Sequence, residues 1–189
     1  FIDDFKKVVL KNTKGLSPKA KMLGLLVISV FFVIYLQYVL NLGTETLIPF
    51  FKTYINLPIL LYVPFVIFVM LAITNSVNLT DGVDGLASSV AAVVSVFLTF
   101  VALAYNELEI AGYCAAVTGA CLGFLIFNAN PAKVFMGDTG SLLLGGAIAG
   151  AALMLEVPLV LVLAGGVFVL ETLSVIIQVV SFKTTGKRV

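Results

Sequence analysis

From Met22 to Leu40 the chain reads "MLGLLVISVFFVIYLQYVL", without one charged residue. A helix needs roughly 20 mostly apolar residues to cross the hydrocarbon of a bilayer, and this run supplies them. Inside lipid every backbone N–H and C=O must be bonded within the protein, which leaves only helices and closed barrels. Barrel strands would alternate apolar and polar residues over about 10 positions, whereas this run is almost continuously apolar, with only Ser29 and Gln37 interrupting it. Comparable runs recur along the chain, and the expected spans lie near 21–40, 58–77, 86–105, 110–127, 141–156 and 158–180. A content of 61% hydrophobic and 11% charged residues is far from the balance of a soluble domain. The expected fold is all-α, a polytopic transmembrane helical bundle forming a single integral membrane domain over residues 1–189.

Alternating crossings sort the charges. With residues 1–20 on the cytoplasmic side, Lys6, Lys7, Lys11, Lys14, Lys19, Lys21, Lys133, Lys183, Lys187 and Arg188 all fall inside, and only Lys52 falls outside. That is the positive-inside distribution of a multi-pass membrane protein. The chain starts at Phe1 without a Met, and "FIDDFKKVV" lacks the apolar core of a signal peptide, so it reads as an internal portion of a longer protein. Cys114 and Cys121 share one predicted helix about 10 Å apart, too far to bridge, and read as buried small hydrophobes.

The acids divide as well. Glu45, Glu107, Glu109 and Glu156 fall at outer ends, while Asp3, Asp4, Asp81, Asp84 and Asp138 all fall inside, from distant parts of the chain. Loop aspartates often cap helices, and Asp81 or Asp84 in "NLTDGVDGLASS" could cap the helix expected near Leu86. Three features favour a shared site. In "TDGVDG" and "MGDTGS" Asp stands beside Gly at the edge of a span, where backbone amides can approach phosphate. A divalent cation held with phosphates takes only one or two protein carboxylates, so no His cluster is required. The lysine-rich "FKKVVLKNTKGLSPKAKM" can anchor on anionic lipid, meet a pyrophosphate, or do both. Within the spans, Glu171 and Gln178 share a helix face as a polar seam or part of a groove, Gln37 suits a helix–helix contact, and "LLLGGAIAGAAL" suits close helix packing.

"FIDDF" at 1–5, "KNTKGLS" at 11–17, "NLTDGVDGLA" at 78–87 and "FNANPAKVFMGDTGS" at 127–141 together resemble the phospho-N-acetylmuramoyl-pentapeptide transferases, a branch of the polyprenyl-phosphate N-acetylhexosamine-1-phosphate transferases. The resemblance covers the chain in order. It implies a ten-helix enzyme of which about six spans are present, with earlier helices, a His-containing cytoplasmic loop and a last helix outside this chain. It further implies Mg2+-dependent transfer of phospho-N-acetylmuramoyl-pentapeptide from UDP-MurNAc-pentapeptide to undecaprenyl phosphate, giving lipid I and UMP for peptidoglycan. The active site would lie on the cytoplasmic face of the bilayer, with no nucleic-acid partner and with a homodimer left open.

By the same resemblance Asp138 matches a metal-ligand aspartate, and Asp3 and Asp4 match a catalytic pair. Asp81 and Asp84 match a second acidic motif near the donor's nucleoside and sugar. Asn128 and Phe135 match nucleotide contacts, Phe135 being suited to stack on uracil. Asn78, Lys11, Lys14 and Lys19 match further substrate-binding positions. The chemistry asks for positioning, metal and cationic side chains around an in-line displacement at phosphorus. Asp3 or Asp4 could take a remaining proton in a single displacement, the preferred route, or attack phosphorus itself in two steps. The alternatives are a related N-acetylglucosamine-1-phosphate transferase and, more distantly, a membrane transporter with acids lining an ion path.

Overall fold

The computed structural model describes residues 3, 5, 9, 11, 15–51 and 53–186. Among the described residues six helices are long and apolar enough to cross a membrane, which makes this a multi-pass membrane protein. The first, α1 (Pro18–Ile34), opens with Pro18 behind the Ser17 N-cap and widens into a π turn at Tyr35–Val39. Next come α2 (Ile59–Thr80), α3 (Leu86–Ala104), α4 (Leu108–Asn128) and α5 (Gly137–Met154). The short α6 (Leu161–Ala164) precedes α7 (Gly166–Thr185).

The sixth span differs from expectation: residues 158–160 form a 3-10 turn and α6 a single turn, so the crossing starts at Gly166 and ends at Thr185. Pro158 starts this break, and at Gly165 a Cβ would fall 2.8 Å from the Leu161 carbonyl oxygen. A second difference is a small antiparallel hairpin between α1 and α2. In it β1 (Glu45–Ile48) pairs with β2 (Thr53–Asn56) in the register Glu45↔Asn56 to Ile48↔Thr53. The hairpin is tied down where Leu47 N–H bonds the Glu156 carbonyl at 2.8 Å and the Tyr54 and Tyr105 hydroxyls meet at 3.0 Å. That bond is the leading cause, with burial, that pushes the Tyr54 hydroxyl up to about 12. Burial and the nearby Glu45 raise the Glu156 carboxyl. Gln37 bonds the Leu42 carbonyl at 3.2 Å, closing the end of its own helix rather than joining two helices.

Two helix pairs organise the bundle, α3 against α4 and α2 against α5. Lipid tails are as apolar as leucine, so helices associate through close packing of small residues. The Gly/Ala run of α5 does this, burying Gly145, Ala149, Ala151 and Ala152. At Gly145 the backbones nearly touch: a Cβ there would lie 2.5 Å from Thr74 Cα. Cys114 and Cys121 are both buried and free.

This crossing sets the distance between the ends of α2 and α5, which carry Asn78 and Asp138. We expect Gly145→Ala to lower stability by roughly 1–3 kcal/mol in a detergent melt, as over-packing does. Gly112→Ala, where nothing lies within 4 Å, serves as the tolerated control.

Candidate active site

Opposite the hairpin, the starts of α1 and α5, the end of α2 and the loops 81–85 and 129–136 come together. Asp3, only 6% exposed, accepts the Leu16 N–H through Oδ1 at 2.5 Å. Its Oδ2 lies 3.2 Å from the Lys21 ammonium, which also bonds Asp138 Oδ2. The other oxygen of Asp138 accepts Asn78 Nδ2 at 3.0 Å, and the same amide reaches Ser141 Oγ at 2.8 Å. Ser141 in turn donates to the Gly137 carbonyl at 3.0 Å. Asp3 from the segment before α1, Lys21 from α1, Asn78 from α2 and Asp138 from α5 therefore form one hydrogen-bonded cluster.

Lys21 is the residue that sequence reasoning passed over in favour of Lys11, Lys14 and Lys19. A signal was present: Lys21 stands in the first turns of a spanning helix, where the macrodipole disfavours a cation, so it needs acidic partners. Lys11 and Lys19 are exposed. Asp4 and Lys14 lie outside the described residues.

The two loops form a second layer. Asn128, 3% exposed, accepts Gly85 N–H at 3.1 Å and Ser88 Oγ at 2.8 Å, and donates to the Val134 carbonyl at 2.9 Å. Its amide is engaged in holding both loops together. Gly85 makes this possible, with a φ of +73° and room for a Cβ only 3.4 Å from Ala129 Cα. Asp84 does not cap α3; its Oδ2 accepts Asn130 Nδ2 at 3.2 Å and Ala132 N–H at 3.0 Å, fastening the same loops again. Asp81 sits closer to the cluster. Burial first, then the charge of Asp138, push its carboxyl above the usual carboxylate range, against a backbone hydrogen bond from Gly137. Phe135 projects from the loop 74% exposed, with a free ring face. Glu171 is half-buried on α7, and Gln178 bonds Ser174 of its own helix at 3.2 Å, away from the acid cluster.

A groove leads away from the cluster. Its mouth, about 280 Å³, is lined by Asp3, Lys21, Leu25, Ile28, Asp138 and Leu142. It continues as a mainly apolar cleft of about 470 Å³ between α1, α2, α4 and α5, past Phe32, Met70, Tyr113 and Leu143. A polar, charged end thus opens onto an apolar trough.

The donor set suits a divalent cation. Among the described residues no three His, Cys, Asp or Glu side chains converge. Mg2+ needs only one or two protein carboxylates beside water and phosphate oxygens. Asp3 Oδ2 and Asp138 Oδ2 already face one positive charge, that of Lys21.

Residues 1–156 match the family described as glycosyl transferase family 4, including every segment of the cluster. The chain belongs to glycosyl transferase family 4. Among its relatives in that family is a protein of Acetivibrio thermocellus, 51% identical over the whole of this chain and 57% of the relative. One of Halalkalibacterium halodurans is 52% identical over the whole chain and 58% of the relative. One of Clostridium perfringens strain 13 is 51% identical over the whole chain and 59% of the relative. All three are named phospho-N-acetylmuramoyl-pentapeptide-transferase. The chain thus spans less than two thirds of the length of these family 4 relatives.

We expect Asn128→Ala to strand the Gly85 N–H, the Ser88 hydroxyl and the Val134 carbonyl. The cost is about 1–3 kcal/mol for buried groups left unsatisfied. Hydrogen exchange in the full-length protein should rise in both 81–88 and 129–136, whereas exchange confined to one loop would deny the clasp.

Proposed function

We propose that the complete protein transfers phospho-N-acetylmuramoyl-pentapeptide from UDP-MurNAc-pentapeptide to undecaprenyl phosphate. It forms lipid I and releases UMP on the cytoplasmic face of the bacterial inner membrane. The observation that carries this reading is the union of an acid–lysine cluster with an apolar groove at one end of the bundle. A soluble anionic donor can reach the cluster from the aqueous side, while a lipid phosphate reaches it with its tail along the groove. The names of the relatives favour the muramoyl-pentapeptide donor over N-acetylglucosamine.

Asp138 and Asp3 would hold Mg2+, which when bound neutralises charge on the diphosphate. Lys21, which lines the mouth of the groove, brings a further positive charge to the approach of the phosphates. Asn78 fixes the Asp138 carboxylate by holding Oδ1. An oxygen of the acceptor phosphate bonds to the sugar-linked phosphorus as the bond from that phosphorus to the bridging oxygen breaks, and the bridging oxygen leaves with UMP. The acceptor phosphate has a second pKa near 6 and is mostly an anion already, so base catalysis asks little of Asp3 or Asp4. A single displacement follows, without an aspartyl-phosphate. Phe135 offers a ring face to the uracil, Asp81 faces the donor side, Asp84 and Asn128 keep the loops in place, and the exposed Lys11 and Lys19 draw in the donor.

In the full-length protein Asp138→Asn should lower Mg2+-dependent UMP release from UDP-MurNAc-pentapeptide by about 100-fold or more, the scale of losing one preorganised charge contact. Undiminished release would overturn the assignment. Equal turnover of UDP-N-acetylglucosamine would move the protein to the related branch.

A further inference from the structure

We propose that Lys21 is the exchangeable counter-ion of the divalent-cation site: its ammonium and the cation compete for the same two carboxylate oxygens. This rests on the reading above that Asp3 and Asp138 hold the cation.

The oxygens are already sorted. Asp3 gives Oδ1 to the Leu16 N–H, and Asp138 gives Oδ1 to the Asn78 amide. Both donors are neutral and fixed, one in the backbone and one on α2. The remaining two oxygens, Asp3 Oδ2 and Asp138 Oδ2, both contact the Lys21 ammonium. A divalent cation with carboxylate bonds of about 2.0–2.1 Å would need those oxygens. An ammonium held by the same atoms would then be a like charge a few ångströms away. The two cannot share the position, so binding of one is release of the other.

Lys21 is also able to leave. It is the compact, flexible kind of cation rather than a planar guanidinium locked onto two oxygens. Its side chain is 31% exposed and lines the mouth of the groove beside Ala20, Gly24 and Leu25, so the stem can swing without opening the core. Its place at the start of α1 gives it no helix-dipole hold of its own. The carboxylates retain it, and a competitor for them frees it.

The test is Mn2+ binding to the full-length protein in detergent, read as loss of the free-ion EPR signal, without donor or acceptor. Lys21→Gln and Lys21→Met, which matches the stem, should each bind Mn2+ about three- to tenfold more tightly than the parent, the worth of one partly exposed ion pair. Lys21→Arg, which keeps the charge, should stay within about twofold. Adding Asp138→Asn to Lys21→Gln should erase the gain. Equal or weaker binding by both neutral variants, or no binding in any of the proteins, overturns the exchange. UMP release plays no part in this readout, so a failed turnover assay would sink the proposed function and leave the exchange to stand or fall by itself.

Discussion

One ammonium at the edge of the bilayer ties the working end of this protein together. Lys21 bonds Asp138 and lies 3.2 Å from Asp3, so it draws the segment before α1 and the start of α5 to one point. Three ionised groups where water gives way to lipid would each be expensive alone. Together they are tolerable, because each offsets the other's charge and Asn78 and the Leu16 N–H take up the outer oxygens. The lipid-spanning helices supply rigidity. The contact of Gly145 with Thr74 sets how near α2 and α5 come, and hence whether Asn78 can reach Asp138 at all.

The loops beside this cluster follow the same logic of mutual satisfaction. Asn128 and Asp84 bond backbone across the gap between 81–85 and 129–134, so two connections that could wander separately are held as one floor. Phe135 projects from it, as does Val83 from the other loop. Asp81, between floor and cluster, carries a raised carboxyl because burial and the Asp138 charge both oppose its ionisation.

Much of this was legible in the sequence, for particular reasons. Runs of about 20 apolar residues admit little but spanning helices, so the number and order of crossings could be read directly. The break at 158–165 was hidden because its residues are as apolar as the span they interrupt; only Pro158 and Gly165 hint at it. The hairpin was hidden because four-residue strands have no signature apart from each other, and these depend on Glu156 and Tyr105 far along the chain. Aspartate and glycine together marked Asp138 as a site residue, and the structure joins it to Asp3 and Asn78. Choosing among six lysines required knowing where α1 begins, since that phase turns Lys21 toward Asp138 and leaves Lys19 exposed. Asn128 matches a nucleotide contact by its motif, whereas its burial against three partners is a tertiary fact that no spacing announces.

The proposed cation position joins chain segments more than a hundred residues apart, and Fe2+ can report it directly. Loaded in place of Mg2+ in the full-length protein, kept reduced with ascorbate and given hydrogen peroxide as the oxidant, Fe2+ cleaves backbone only within a few ångströms of where it binds. Cuts are expected in three places, around residues 3, 21 and 138, all suppressed together by excess Mg2+. Cuts near 138 without cuts near 3 and 21 would contradict it.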